Sequence, residues 1–120
     1  MTRSVGAAAP ETPVAEVAKS MVRGRFGSIV VTSNEMLIGI LTERDVLRAA
    51  AAGADLTTSP VSGWMTRDPE TAGPDLDSEE AAQIMLARGF RHLPVVDGNT
   101  IMGIVSLRDV LASRVRRPGP

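Results

Sequence analysis

One internal match constrains this chain more than any other feature: displaced by 64 residues, the sequence falls onto itself without a gap. Met1-Thr2-Arg3 lands on Met65-Thr66-Arg67, Met21 on Met85 and Phe26 on Phe90. The longest stretch sets Gly39-Ile40-Leu41-Thr42-Glu43-Arg44-Asp45-Val46-Leu47 on Gly103-Ile104-Val105-Ser106-Leu107-Arg108-Asp109-Val110-Leu111. A register held this long marks a duplicated unit. Each copy is roughly 50 residues, too short to bury a comfortable core alone, so the halves are expected to share one core in a single pseudo-symmetric domain. The implied bounds are 1–53 and 65–117, joined by 54–64, a connection rich in Thr, Ser, Ala and Pro.

Within each copy the hydrophobic period alternates. Val14, Val17, Ala18, Met21 and Val22 recur at helical spacing, with Thr12 and Pro13 suited to the cap and first turn and Gly24 to the end. In the second copy Ala81, Ala82, Met85 and Leu86 form the stripe, Asp77 and Glu80 have the spacing of a capping pair, and Gly89 follows. Two short aliphatic runs come next in each copy, 28–32 with 36–41 and 93–96 with 100–105, and Asp97-Gly98 is a strong hairpin signal. A second helix starts after Thr42 and after Ser106. With a short extended piece near 7–9 and 71–73, each copy reads β-α-β-β-α, an α+β fold of the α/β sandwich type with pseudo-twofold symmetry.

Composition narrows function. Thirteen basic residues against 14 acidic ones leave a net charge of −1, which gives no pull toward nucleic acid or an acidic membrane. The absence of cysteine removes disulfides, thiolate metal sites and thiol catalysis. No continuous apolar run resembles a signal segment or a membrane span, so a cytoplasmic location is expected. His92, the only histidine, has no Cys, Ser or acidic partner at a recognisable spacing. Neither a catalytic base nor a metal ligand is indicated by it, and phosphate-loop, dinucleotide and zinc-hydrolase motifs are absent too. The chain is expected not to be an enzyme.

Two copies of a strand followed by Gly-aliphatic-x-Thr/Ser-x-x-Asp and a helix resemble a tandem CBS-domain pair. Arg91-His92-Leu93-Pro94-Val95-Val96-Asp97-Gly98 is similar to the strand and turn that this family places before the motif. The resemblance runs from about Pro10 to about Ser113. It implies a regulatory or sensor module that binds an adenosine-containing ligand, AMP, ADP, ATP or S-adenosylmethionine, in clefts between the two repeats, with no cofactor beyond that ligand. The ligand-binding residues it implies are Ser28, Val30, Thr42, Arg44 and Asp45 in the first repeat. In the second they are Thr71, Ala72, His92, Pro94, Ser106, Arg108 and Asp109.

The chemistry of those residues agrees with that implication. A helix N-terminus offers free N–H groups and partial positive charge to a phosphate, and Thr42 and Ser106 add hydroxyls there. Asp45 and Asp109, three residues on, have two carboxylate oxygens each for the two hydroxyls of a ribose. Arg44 and Arg108 stand near enough to neutralise phosphate, and Gly39 and Gly103 leave space where a ligand would pass the strand. Each feature also has a plain structural reading: Thr/Ser-x-x-Asp as a capping box, the glycines as bulge or packing positions, the arginines as solvated charges, His92 as a packing residue. The first repeat has Ser28-Ile29-Val30 where the second has His92-Leu93-Pro94, so weaker binding is expected in the first. A pair that has lost its ligand and serves as a dimerisation scaffold is the alternative. Apolar residues of the second helices, Val46, Leu47 and Ala49 to Ala52 with Val110, Leu111 and Ala112, point to a homodimer that covers them.

Overall fold

The computed structural model describes residues 6–114, and these divide into two compact units, one up to Pro69 and one from Glu70. The first unit contains β1 (Ala7–Ala8), α1 (Val14–Gly24), β2 (Ser28–Ser33), β3 (Met36–Thr42), α2 (Glu43–Ala51), a 3₁₀ turn (Val61–Gly63) and β4 (Thr66–Arg67). Its sheet runs β1-β2-β3-β4, with β1 parallel to β2 and the other pairs antiparallel. The second unit contains α3 (Ser78–Arg88), β5 (His92–Asp97), β6 (Thr100–Ser106) and α4 (Leu107–Arg114).

The two hairpins repeat each other residue for residue. Ser28 pairs with Thr42 and Val31 with Gly39, while His92 pairs with Ser106 and Val95 with Gly103. Even the bulge recurs, between Val31 and Thr32 and between Val95 and Val96. The turns differ. Asn34 and Glu35 both take positive φ, 52° and 66°, as a type I′ turn demands, whereas in the second turn only Gly98 does, at 60°.

A single residue type changes the sheet edge. Val30 donates its N–H to Gly6 O at 3.0 Å and so anchors β1 along β2. At the matching place stands Pro94, which has no N–H to give. The extended piece expected near 71–73 therefore contracts to one bridge between Ala72 and Val95, held by Ala72 N to Pro94 O and Val96 N to Ala72 O, each 2.9 Å.

Each unit has its own apolar cluster. The first gathers Val14, Val17, Met21, Ile29, Val31, Leu41 and Val61; the second gathers Ala72, Ala81, Ala82, Met85, Leu93, Val95 and Val110. Burying a side chain such as Ile29 or Leu41 contributes about 1.5–3 kcal/mol. Two expected core positions face outward instead: Val22 is 80% exposed and Leu86 60%. They lie at the margin of the helical stripe, where a single residue's rotation carries a side chain into solvent. Met102 on β6 is exposed as well.

Helix ends follow local chemistry. α3 starts at Asp77, whose carboxylate accepts the N–H of Glu79 at 3.2 Å. The first helix has Pro13 there, with nothing to cap with. Its first N–H groups bond to the connecting segment instead: Val14 N to Ser59 O at 2.9 Å and Ala15 N to Leu56 O at 2.8 Å. That segment is no bare tether, because Leu56, Val61 and Trp64 also pack on the first core. At the other end, the left-handed residue after α1 is Arg25, φ 56°, and not Gly24. A Cβ on Gly24 would collide with the Phe26 ring, so the glycine serves that approach, while Gly89 takes φ 81° after α3.

Candidate functional site

The hairpin register sets one pair of expected site residues side by side in each unit. In the first, Ser28 and Val30 are buried on β2, Ser28 opposite Thr42 at the end of β3. In the second, half-buried His92 lies opposite Ser106, and fully buried Pro94 receives the N–H of Ala72. Thr71 is exposed beside buried Ala72, and Arg44 and Arg108 are both exposed.

The strand-to-helix junctions share a frame. Glu43 N bonds to Gly27 O at 3.2 Å and Leu107 N to Arg91 O at 2.8 Å. Thr42 Oγ1 accepts Asp45 N at 3.4 Å, and Ser106 Oγ accepts Asp109 N at 3.0 Å. The Ser106 hydroxyl keeps its own hydrogen to donate, whereas Thr42 gives its hydrogen to Asp45 Oδ2. Arg44 and Arg108 fall between these bonded amides in the first helical turn, where N–H groups have no intrahelical partner and carry partial positive charge.

The carboxylates are where the junctions part. Asp45 is only 6% exposed and both its oxygens are taken: Oδ2 accepts Thr42 N at 2.9 Å and Thr42 Oγ1 at 3.1 Å, and Oδ1 accepts Arg48 Nη1 at 2.8 Å. This is a complete capping box closed by an ion pair, contributing about 1 kcal/mol for the cap and a few tenths for the pair. The Arg48 guanidinium also sits 5.8 Å from the centre of the Trp64 ring. Asp109 is exposed, and among the described residues no side chain or amide donates to its carboxylate. Where the first repeat has Arg48, the second has Ala112, which cannot reach back.

Asp109 also borders a cavity of about 250 Å³, lined besides by Ala72, Gly73, Pro74, Leu76, Ser78, Ala81, Val95, Val105 and Val110. Of the residues expected at the site, only Ala72 and Asp109 border it; Gly73, Pro74, Leu76 and Ser78 were missed, although a Gly-Pro loop ahead of a capped helix is itself a signal. In the first unit two of the matching positions hold larger, more buried side chains, Val14 for Ser78 and Leu41 for Val105, and Leu56 and Val61 belong to the same apolar cluster. Gly39 is explained by packing, since a Cβ there would run into the Met65 side chain. Among the described residues there is no cluster of His, Asp and Glu able to hold a metal ion, and no helix long and apolar enough to cross a membrane.

Comparison with known proteins places this geometry in a family. The family model for the CBS domain matches twice, at residues 1–52 and 61–116. The chain is 36% identical over 116 residues to the CBS domain-containing protein YhcV of Bacillus subtilis, covering 96% of this chain and 82% of that one. It is 41% identical over 111 residues to an uncharacterized 17.7 kDa protein of Acidianus ambivalens, covering 91% of this chain and 66% of that relative, just under two thirds of its length. Among solved structures, a CBS domain protein from Pyrobaculum aerophilum complexed with AMP superposes with a TM-score of 0.82 at 27% identity, covering 94% of this chain and 92% of that one.

Proposed function

The chain belongs to the CBS-domain family, and from that premise we propose that it is a regulatory module for an adenosine-containing ligand and not an enzyme. The observation that carries this reading is the open Asp109 carboxylate, three residues after the Ser106 hydroxyl and beside a cavity of about 250 Å³. Two carboxylate oxygens suit the two hydroxyls of a ribose, and Ser106, the Arg108 N–H and the Arg108 guanidinium suit a phosphate. Thr71, Ala72, His92 and Pro94 complete that site; Ser28, Val30, Thr42, Arg44 and Asp45 form its counterpart in the repeat 1–53. The AMP complex of the Pyrobaculum protein supports the ligand class, within which AMP, ADP, ATP and S-adenosylmethionine are the candidates. Occupancy acts by favouring one of two shapes, which a partner protein reads.

The same chain self-associates in this reading. Val22 and Leu86 occupy matching positions on the first helices, and Leu47 and Leu111 on the second, and all four are exposed, from 42% to 80%. Four large apolar side chains recurring at repeat-equivalent places favour a twofold homodimer. The net charge of −1 favours neither nucleic acid nor membrane as a partner and suits a cytoplasmic protein. Those apolar positions also favour the second reading, a scaffold pair without ligand.

Calorimetry with AMP, ADP, ATP and S-adenosylmethionine decides between the two. Binding of one of them, weakened on the order of 100-fold by Asp109→Ala, is the expected result, since two bonds to a charged group are lost. Full affinity in an Asp45→Ala/Asp109→Ala chain removes the site, and no binding by the parent leaves the scaffold reading. Light scattering that finds a strict monomer at tens of micromolar removes the dimer.

A further inference from the structure

The two junctions carry the same Thr/Ser-x-x-Asp signature, yet their carboxylates are in opposite states. Asp45 accepts three hydrogen bonds, from Thr42 N, Thr42 Oγ1 and Arg48 Nη1, and is nearly buried. Asp109 receives none among the described residues and is exposed. Thr42 and Ser106 are chemically alike, and either could donate to its aspartate. The difference in kind lies three positions further along the helix: arginine at 48, which holds Asp45 Oδ1, and alanine at 112, which has no donor to offer.

Arg48 is held in its reaching-back pose from two sides. Its guanidinium pairs with Asp45 Oδ1 at 2.8 Å and lies over the face of Trp64, 5.8 Å from the ring centre. Spacing of i, i+3 on a helix places the two side chains together without strain, and the aromatic face adds an attraction of its own. Trp64 belongs to the connecting segment that packs on the first core, so a fixed element restrains the arginine. The Arg48 side chain is itself 57% exposed, so replacing it leaves the core untouched.

We propose that Arg48 selects between the two repeats: it withdraws Asp45 from the ribose diol of an adenosine nucleotide, so that each chain takes up one nucleotide, at Asp109. A diol approaching Asp45 would have to displace a guanidinium from Oδ1 and two donors from Oδ2, whereas at Asp109 no donor of the described residues stands in its way. Arg48 is thus a positioning residue acting through Asp45, and it touches no ligand. This proposal rests on the nucleotide reading above.

The substitution Arg48→Ala copies the second repeat into the first, and its readout is a gain. In calorimetry of the full chain with AMP, the parent is expected to titrate one site, Arg48→Ala two, and Asp109→Ala none at concentrations that fill the parent. Arg48→Ala/Asp109→Ala is expected to recover one site, with affinity at least tenfold above that of Asp109→Ala alone. Unchanged far-ultraviolet circular dichroism confirms that the variants are folded. A parent that fills two sites of equal affinity, or an Arg48→Ala chain that still fills one, overturns the selection and leaves the nucleotide reading standing. A parent and an Arg48→Ala chain that both bind nothing overturn the two together.

Discussion

The two hairpins agree pair for pair, while the repeats differ at the two ends of the first helix, at one position on the sheet edge and at one position within the second helix. Pairing from Ser28 with Thr42 to Ser33 with Met36 is matched step for step in the second hairpin, bulge included. The differences fall at Pro13 against Asp77, Gly24-Arg25 against Arg88-Gly89, Val30 against Pro94, and Arg48 against Ala112. A hairpin's register admits no partial change, because a slip of one residue turns every side chain to the other face. Helix termini are more permissive, since their unpaired amides accept a side chain, a neighbouring carbonyl or solvent. Divergence after duplication therefore has more freedom at helix termini than within a paired hairpin.

The largest expected contrast is in packing. Leu41, fully buried, matches half-buried Val105, so Leu41→Ala should lose about 2–5 kcal/mol while Val105→Ala loses about 1 kcal/mol. Denaturant unfolding measures both, and equal losses would mean that the two units are packed alike. Next come the carboxylates, where stability and binding should trade places. Asp45→Ala breaks a closed cap and should cost about 1–3 kcal/mol in thermal unfolding without ligand, whereas Asp109→Ala should cost less than about 0.5 kcal/mol. A larger loss for Asp109→Ala would contradict its open state.

The helix ends sharpen the comparison further. Arg25→Gly relieves a left-handed arginine and should stabilise the chain by about 1 kcal/mol, and Gly89→Arg should cost a similar amount. If both variants melt with the parent, neither backbone position is strained. The finest effect concerns Asp55, in the segment that only the first unit packs. The hydroxyl and N–H of Thr57 hold its carboxyl below the ordinary carboxylate value. A folded value below the unfolded one stabilises the turn above the unfolded value, and that contribution is lost as pH falls through the lowered value. The Thr57 amide resonance should accordingly titrate with a midpoint under that of an unstructured aspartate, and Asp55→Asn should abolish the titration.

Much of this was legible in the residues. Alternating and helical periods located the hairpins and the four helices, and the offset of 64 aligned Asp45 with Asp109. What escaped depends on neighbours distant in the chain. The outward turn of Val22 and Leu86 reflects which face each unit covers, and the packing of Leu56 and Val61 turns an expected tether into part of a core. Asp45 and Asp109 look identical as a motif. The deciding arginine at 48 was in view, but its pose depends on Trp64, 16 positions on.

Because residues 54–64 cap α1 and close its apolar side, the stretch that was copied and the stretch that folds are different lengths. A fragment stopped at residue 53 would strip the first core of Leu56 and Val61 and leave the amides of Val14 and Ala15 unmatched. Grafts, truncations and domain shuffles that use this half should carry it through Pro69, where β4 has completed the sheet. Scissors guided by sequence repetition alone would cut through the middle of a working part.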